Sequence, residues 1–340
     1  MAGLLLHIKK RLYLYVALDF VLALWVGTHV DLQSINIKPI SLLAVFLMLY
    51  PMLTGMVVEK VKRAGRNYRL IALTLTFAFV VASITAYVVS RLLFADYPEL
   101  ALGIILVGAI PCSNMLIGWS GIADASVEDA LVIAVIGLLL IPLLSPLIVR
   151  ISGGPLLPID TTRLILNLLL YILVPLILGY FTRRAIIRRR GMAYFMEIKR
   201  YFPGLSALGI LLIVFFSVAK VSGRVLQHPV VFLLVAAGLF LYYLIQTALA
   251  VAAARFFHLD YAQGMILILG ATASSQAISL ALAATMFGSM TVFALSFKPI
   301  LQVAYIMLLI YGLGPYLRCF LDGTPHPAGG AEAPRKGMEL

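Results

Sequence analysis

Residues 108–114 read GAIPCSN, and residues 270–276 read GATASSQ. Each stretch interrupts a long apolar run with small and polar residues. Aligned, they share Gly-Ala at the start and Ser in the sixth place, so Cys112 stands opposite Ser274 and Asn114 opposite Gln276. Pro111 lacks a backbone N–H and clashes with the preceding turn, so a helix running through it must open. Inside a bilayer, open backbone persists only where protein buries it or where it lines a watery cavity. Matched interruptions in two helices therefore point to a shared transport site near the middle of the membrane. The competing reading is tight packing, which small polar residues and kinks in membrane helices also serve.

The rest of the chain supplies the membrane. Of its 340 residues, 63% are hydrophobic and 12% charged, more apolar surface than a water-soluble fold of that size can hide. Ten apolar runs are each long enough to cross a hydrocarbon core of ~30 Å. They lie at 12–28, 38–57, 68–94, 100–122, 126–150, 163–183, 204–222, 228–254, 262–285 and 289–313. The first run has no small-residue cleavage site and is expected to stay as a span rather than act as a removed signal. With the N-terminus in the cytoplasm, 19 of the 26 Lys and Arg residues fall on the inner side. That asymmetry places both termini in the cytoplasm of a multi-pass plasma-membrane protein. The net charge of +12 is concentrated in short loops beside spans, which fits anionic headgroups and excludes a nucleic-acid partner. The segment 183–200, RRAIIRRRGMAYFMEIKR, is expected to lie along the inner face as a short amphipathic stretch.

The fold class read from these features is an all-α integral membrane protein of ten transmembrane helices. Five spans precede the linker SGGPLLPIDTT at 152–162 and five follow it. Five is odd, so the second half enters the bilayer inverted. The divisions are residues 1–150 for the first five-helix repeat, 151–320 for the second, and 321–340 for a Pro-, Gly- and Ala-rich tail expected to be disordered. Both polar stretches then fall in the fourth span of their half, as broken helices whose N-termini and bare carbonyls face the site.

LMLYPML at 47–53 resembles the second helix of the arsenical-resistance permeases, the arsenite-efflux branch of the bile acid/sodium symporter superfamily. PCSNMLIGW at 111–119 is similar to that branch in its spacing of Cys112, Met115 and Trp119. TASSQAISLA at 272–281 and FKPILQVAYI at 297–306 resemble its ninth and tenth helices. The resemblance implies ten helices in a core and a panel domain, with the fourth and ninth broken and crossing. Three positions depart from the arsenite pattern. Ser279 and Gln302 stand where that branch carries carboxylates, and Lys298 replaces a glycine before Pro299. Ser113 and Asn114 look more like the sodium-coupled branch, whose ninth-helix carboxylate and asparagine are Thr272 and Ala277 here, while its Gln is kept as Gln276.

The candidate substrate-binding residues are Cys112, Ser113, Asn114, Met115, Trp119, Ser274, Ser275 and Gln276. Trivalent arsenic and antimony favour soft sulfur ligands, which Cys112 offers and Met115 supplements. One thiol holds such a cargo weakly enough to release it, as transport requires. A lone cysteine in a membrane helix also serves as a small apolar filler. The hydroxyls and amides supply hard oxygen ligands for a sodium ion or a polar substrate. For coupling or charge compensation the spans offer Lys298, Gln302 and Asp19, intramembrane charges being costly and commonly functional. The Lys298 ammonium either takes the place of a coupling cation, or binds an anionic cargo, or reaches the outer headgroups if its span starts late. No cofactor is expected beyond coupling to sodium or protons. His7, His29, His228, His258 and His326 are scattered, and no paired intramembrane carboxylates occur, which argues against an enzyme. Two functions remain: arsenite or antimonite efflux, or transport of a small organic anion. Oligomeric state and flux direction are not encoded in these features.

Overall fold

The computed structural model describes residues 12–30, 38–55, 67–111, 114–156, 159–227 and 230–322. Cys112, Ser113, the side chain of Asn114 and residues 323–340 lie outside the described residues. The described chain is helical, with a single isolated bridge and no strand.

In chain order the helices are α1 (Leu12–His29), α2 (Lys38–Thr54), α3 (Tyr68–Leu93), α4 (Pro98–Ala109), α5 (Asn114–Ile122) and α6 (Val127–Gly153). They continue as α7 (Thr161–Lys199), α8 (Phe202–Gln227), α9 (Val230–Phe256), α10 (Tyr261–Thr272), α11 (Gln276–Met286) and α12 (Ser289–Asp322). Six of the described helices are long and apolar enough to cross a membrane. The exposed surface explains where they sit. Trp25, Leu143, Leu233 and Phe256 are each more than 60% exposed, an apolar surface suited to lipid rather than water. The protein is a multi-pass membrane protein.

Packing sorts the helices into two groups. Helices α1, α2, α7 and α8 pack on one another, chiefly through α8 against α1 and α2 and through α7 against α2. Helices α3, α4, α5, α6, α9 and α10 form the second group, with α3 against α4 and α9, and α10 against α9 and α3. Helix α11 touches α2, and the start of α12 touches both α8 and α4, so these two elements lie on the seam.

Local chemistry sets the helix starts. Ser126, Asp160 and Asp260 each accept from the backbone N–H three residues on, the N-cap bond that satisfies an orphan donor. Two segments differ from the sequence expectation. Residues 183–190 do not turn along the membrane face but continue the axis of α7, because nothing breaks the helix until Gly191 at φ +82°. Only 192–199 form the short amphipathic piece, with Phe195 buried and Met192 and Met196 exposed. Helix α12 also runs on to Asp322, two residues past the expected boundary. The Asp322 carboxylate accepts from the Tyr261 N–H at 2.7 Å, tying that end to the start of α10.

Candidate functional site

Helices α4, α5, α10 and α11 have between 9 and 12 residues each. At ~1.5 Å per residue none covers a core of ~30 Å alone, and α4 and α10 each give way to extended backbone, at Ile110 and Ala273. The interruptions touch. Pro111 and Ser274 pair as an isolated antiparallel bridge, and the Ser275 N–H donates to the Ile110 carbonyl at 3.2 Å. Ile110, Ala273 and Ser275 have extended backbones, which lets the two breaks meet as short strands.

Opening a helix leaves its last carbonyls without partners, a cost that must be met locally. Here three donors meet it. Ser83 Oγ reaches the Gly108 carbonyl at 3.2 Å, Ser145 Oγ reaches the Ala109 carbonyl at 2.6 Å, and Ser275 N–H takes Ile110. Ser83 follows a π-helical turn in α3 (Phe77–Val81) that lies against both α4 and α10. Ser145 is a buried residue between Pro142 and Pro146. The sequence reading missed both serines; for Ser145 its place between two prolines was a faint signal, and for Ser83 there was none. Ser145→Ala should therefore strand the Ala109 carbonyl, at a cost of ~1–3 kcal/mol. A lowered thermal midpoint of the purified protein checks it; an unchanged midpoint would mean another donor takes over.

On the α10–α11 side, Ser275 is the N-cap of α11, its Oγ accepting from Ile278 N–H at 3.4 Å. Thr272 Oγ1 and Ser279 Oγ donate back to carbonyls one turn earlier, Ile268 and Ser275. Those hydroxyls are internally satisfied. Ser274 and Gln276 differ. Ser274 Oγ is buried with no hydrogen-bond partner among the described residues. Gln276 donates from Nε2 to the Leu295 carbonyl at 3.2 Å, leaving its buried Oε1 without a partner among those residues. Buried polar atoms in this condition are uncommon in folded proteins and suit a site that awaits a ligand or water.

The shared Gly-Ala of the two stretches has a packing role. A Cβ at Gly108 would overlap the Ala82 carbonyl and stand 2.6 Å from Ala86 Cβ, and one at Gly270 would overlap Thr74 Cγ2. Both broken helices thus rest on one helix, α3, through a glycine. Thr74 is itself fully buried, with an Oγ1 that has no partner among the described residues.

Met115 and Trp119 are half-buried on α5 and pack against the core. Lys298 is 0% exposed, nine residues into α12, so the reading in which it reaches the headgroups does not hold. One turn on, Gln302 is buried, with Oε1 accepting from the Tyr243 hydroxyl at 3.5 Å and Nε2 without a partner among the described residues. Tyr243 stacks on Tyr305, whose hydroxyl reaches Thr247 Oγ1 at 2.7 Å, extending a buried polar row between α9 and α12. Gln276 touches Leu295, three residues before Lys298, which links the break in α10–α11 to this row. Asp19 is half-buried on α1, next to Phe20, whose ring is 5.1 Å from that of Phe297. The structure therefore brings Ser274, Ser275 and Gln276 to the crossing and runs Lys298 and Gln302 along α12 beside it. Among the described residues no three His, Cys, Asp or Glu side chains come together as a metal-holding group.

The comparisons with known proteins agree with this architecture. The Sodium Bile acid symporter family is matched over residues 42–229, more than half of the chain and including the first break. Arsenical-resistance protein Acr3 of Alkaliphilus metalliredigens is 26% identical over 218 residues, 59% of this chain and 59% of that protein. The arsenical-resistance protein Acr3 of Corynebacterium glutamicum is 21% identical over 336 residues, 91% of this chain and 90% of that one. An uncharacterized transporter of Synechocystis sp. is 24% identical over 268 residues, 70% of each chain. The chain thus spans under two thirds of the first relative and nearly all of the second. With the family matched over more than half of the chain, from α2 through α8 and across the first break, the chain belongs to the Sodium Bile acid symporter family, whose members are transporters and not enzymes.

Proposed function

We propose that the protein is a secondary transporter that expels arsenite or antimonite across the plasma membrane, using the single thiol of Cys112 at the crossing of two broken helices. The observation that supports this reading is the contact between the breaks, Pro111 against Ser274 and Ile110 against Ser275, with the buried Ser274 hydroxyl left without a partner among the described residues. The two relatives named as arsenical-resistance proteins support the cargo. In this reading the chain crosses the membrane ten times as two inverted five-helix repeats, 1–150 and 151–320, with both termini cytoplasmic and a tail from 321. The cargo meets Cys112, Met115 and Trp119 on one side and Ser274, Ser275 and Gln276 on the other, with Ser113 and Asn114 as oxygen donors. The group of α1, α2, α7 and α8 rocks against the rest about the seam at α11 and α12, the usual way a fixed central site is opened alternately.

A second reading has its own support. The buried ammonium of Lys298 and the Gln302 Nε2 donor, which has no partner among the described residues, suit an anionic cargo or replace a coupling sodium or proton, with Asp19 on α1 as a further ionisable group. One experiment separates the two. Cells stripped of their own arsenite pumps, expressing the protein, should accumulate several-fold less arsenite and antimonite, and Cys112→Ser should abolish that protection. Equal accumulation in cells with and without the protein, at confirmed membrane expression, would overturn arsenite efflux and leave the small organic anion. Repeating the measurement across imposed sodium and proton gradients identifies the coupling ion.

A further inference from the structure

The outer part of α7 carries a feature that transport of any cargo leaves unexplained. A groove of about 560 Å³ is lined by Tyr180, Arg183, Arg184, Ile187 and Arg188. These positions are three and four apart, so they share one face of the helix. The same face continues back into the membrane as Leu166, Leu170, Leu173 and Ile177, all exposed and apolar. One helix stripe thus changes from hydrocarbon-like to cationic at Tyr180, an aromatic of the kind that marks the headgroup level. One leaflet of hydrocarbon is ~15 Å deep, about ten residues of helix, which matches the run from Leu170 to Tyr180.

The charge needs an anion. Arg184 and Arg188 are exposed and one turn apart, a like-charge pair that weakens an isolated helix. Arg189 and Arg190 follow, and among the described residues the groove lining contains no carboxylate. Glu197 is engaged with Arg200 at 3.7 Å. Arg183 is buried, its guanidinium 5.5 Å from the Phe195 ring, so the segment after Gly191 folds back onto this part of α7. Guanidinium forks fit phosphate oxygens bidentately, and a groove of this volume is in the range that holds a headgroup-sized ligand.

We infer that this stripe of α7 binds an anionic membrane phospholipid, with its phosphodiester on Arg184 and Arg188 and an acyl chain along Leu166, Leu170, Leu173 and Ile177. A free phosphate ion shares the headgroup chemistry but has no use for the apolar stripe, which is why the lipid is the occupant. The site does not depend on the identity of the cargo.

The test uses the purified full chain in a neutral maltoside detergent, titrated with phosphatidylglycerol, phosphatidylcholine or inorganic phosphate. Phosphatidylglycerol should raise the thermal midpoint by roughly 3 to 5 °C at saturation, as a ligand that binds only the folded state does. Phosphatidylcholine and inorganic phosphate should not. The Arg184→Gln, Arg188→Gln double variant should lose the shift, while Arg189→Gln, one residue off the stripe, should keep it. Equal shifts from both lipids, an equal shift from inorganic phosphate, or a full shift in the double variant would each overturn the assignment. Should the double variant fail to purify, native mass spectrometry of the unaltered protein in an equimolar lipid mixture decides. At least tenfold more bound phosphatidylglycerol than phosphatidylcholine supports the site, and a ratio near one overturns it.

Discussion

Lys298→Met is expected to cut the transport rate per folded molecule by ~100-fold, whatever it does to the thermal midpoint, since a charged contact worth up to ~3 kcal/mol is lost and each ~1.4 kcal/mol is tenfold. The two effects separate because they draw on different physics. Removing one partner of a buried charge interaction commonly costs ~3–5 kcal/mol of stability. A lysine with a purely structural role would therefore lower the thermal midpoint and leave the rate per folded molecule unchanged. One that compensates charge on the cargo or the coupling ion would lose the rate per folded molecule and its voltage dependence. Initial rates in reconstituted vesicles at several membrane potentials, beside the thermal midpoint, make the comparison. Unchanged rates and voltage dependence in Lys298→Met would remove Lys298 from the transport cycle. Lys298→Arg should not rescue, because the planar guanidinium is larger and the site has 0% exposure to admit it.

The second large effect concerns the glycines under the breaks. Gly108→Ala and Gly270→Ala should each destabilise the protein by ~1–3 kcal/mol through overpacking, and Gly108 should be the worse. At Gly108 the obstacle is the Ala82 backbone carbonyl, which moves only if α3 moves. At Gly270 the obstacle is a methyl group of Thr74, held in the core of α3 by its branched Cβ. Thr74→Ala removes that methyl, so it should restore most of the stability lost in Gly270→Ala and none of that lost in Gly108→Ala. A double-mutant cycle on thermal midpoints measures this directly. If Thr74→Ala adds its own loss to that of Gly270→Ala instead of relieving it, the contact between α10 and α3 is not the one described.

Much of the architecture is legible in one dimension because a bilayer constrains the chain so severely. Apolar runs long enough to span, and basic residues between them, follow from the cost of placing backbone and charge in hydrocarbon. The two interruptions are legible because Pro111 stands among small and polar residues, unlike Pro142, Pro146 and Pro175, which stay inside helices, and the matched GATASSQ marks its partner. The family resemblance, read on Cys112, Met115 and Trp119, agrees with the matched family. Other features escaped. Ser83 and Ser145 are ordinary residues in their own helices, and become part of the site only because α3 and α6 bring them to carbonyls 25 and 36 residues away. The continuation of α7 past Arg183 is hidden by its charges, which read as an amphipathic stretch along the inner face although no residue before Gly191 stops the helix.

The sequence by itself determined the membrane medium and marked the two stretches where helices break, because hydropathy and runs of small polar residues act locally. Tertiary structure alone decided that the breaks meet at Pro111 and Ser274, that Lys298 is buried rather than reaching out, and that both glycines close on α3. The reason is that contact, burial and hydrogen-bond satisfaction belong to pairs of distant residues, and no single segment carries them.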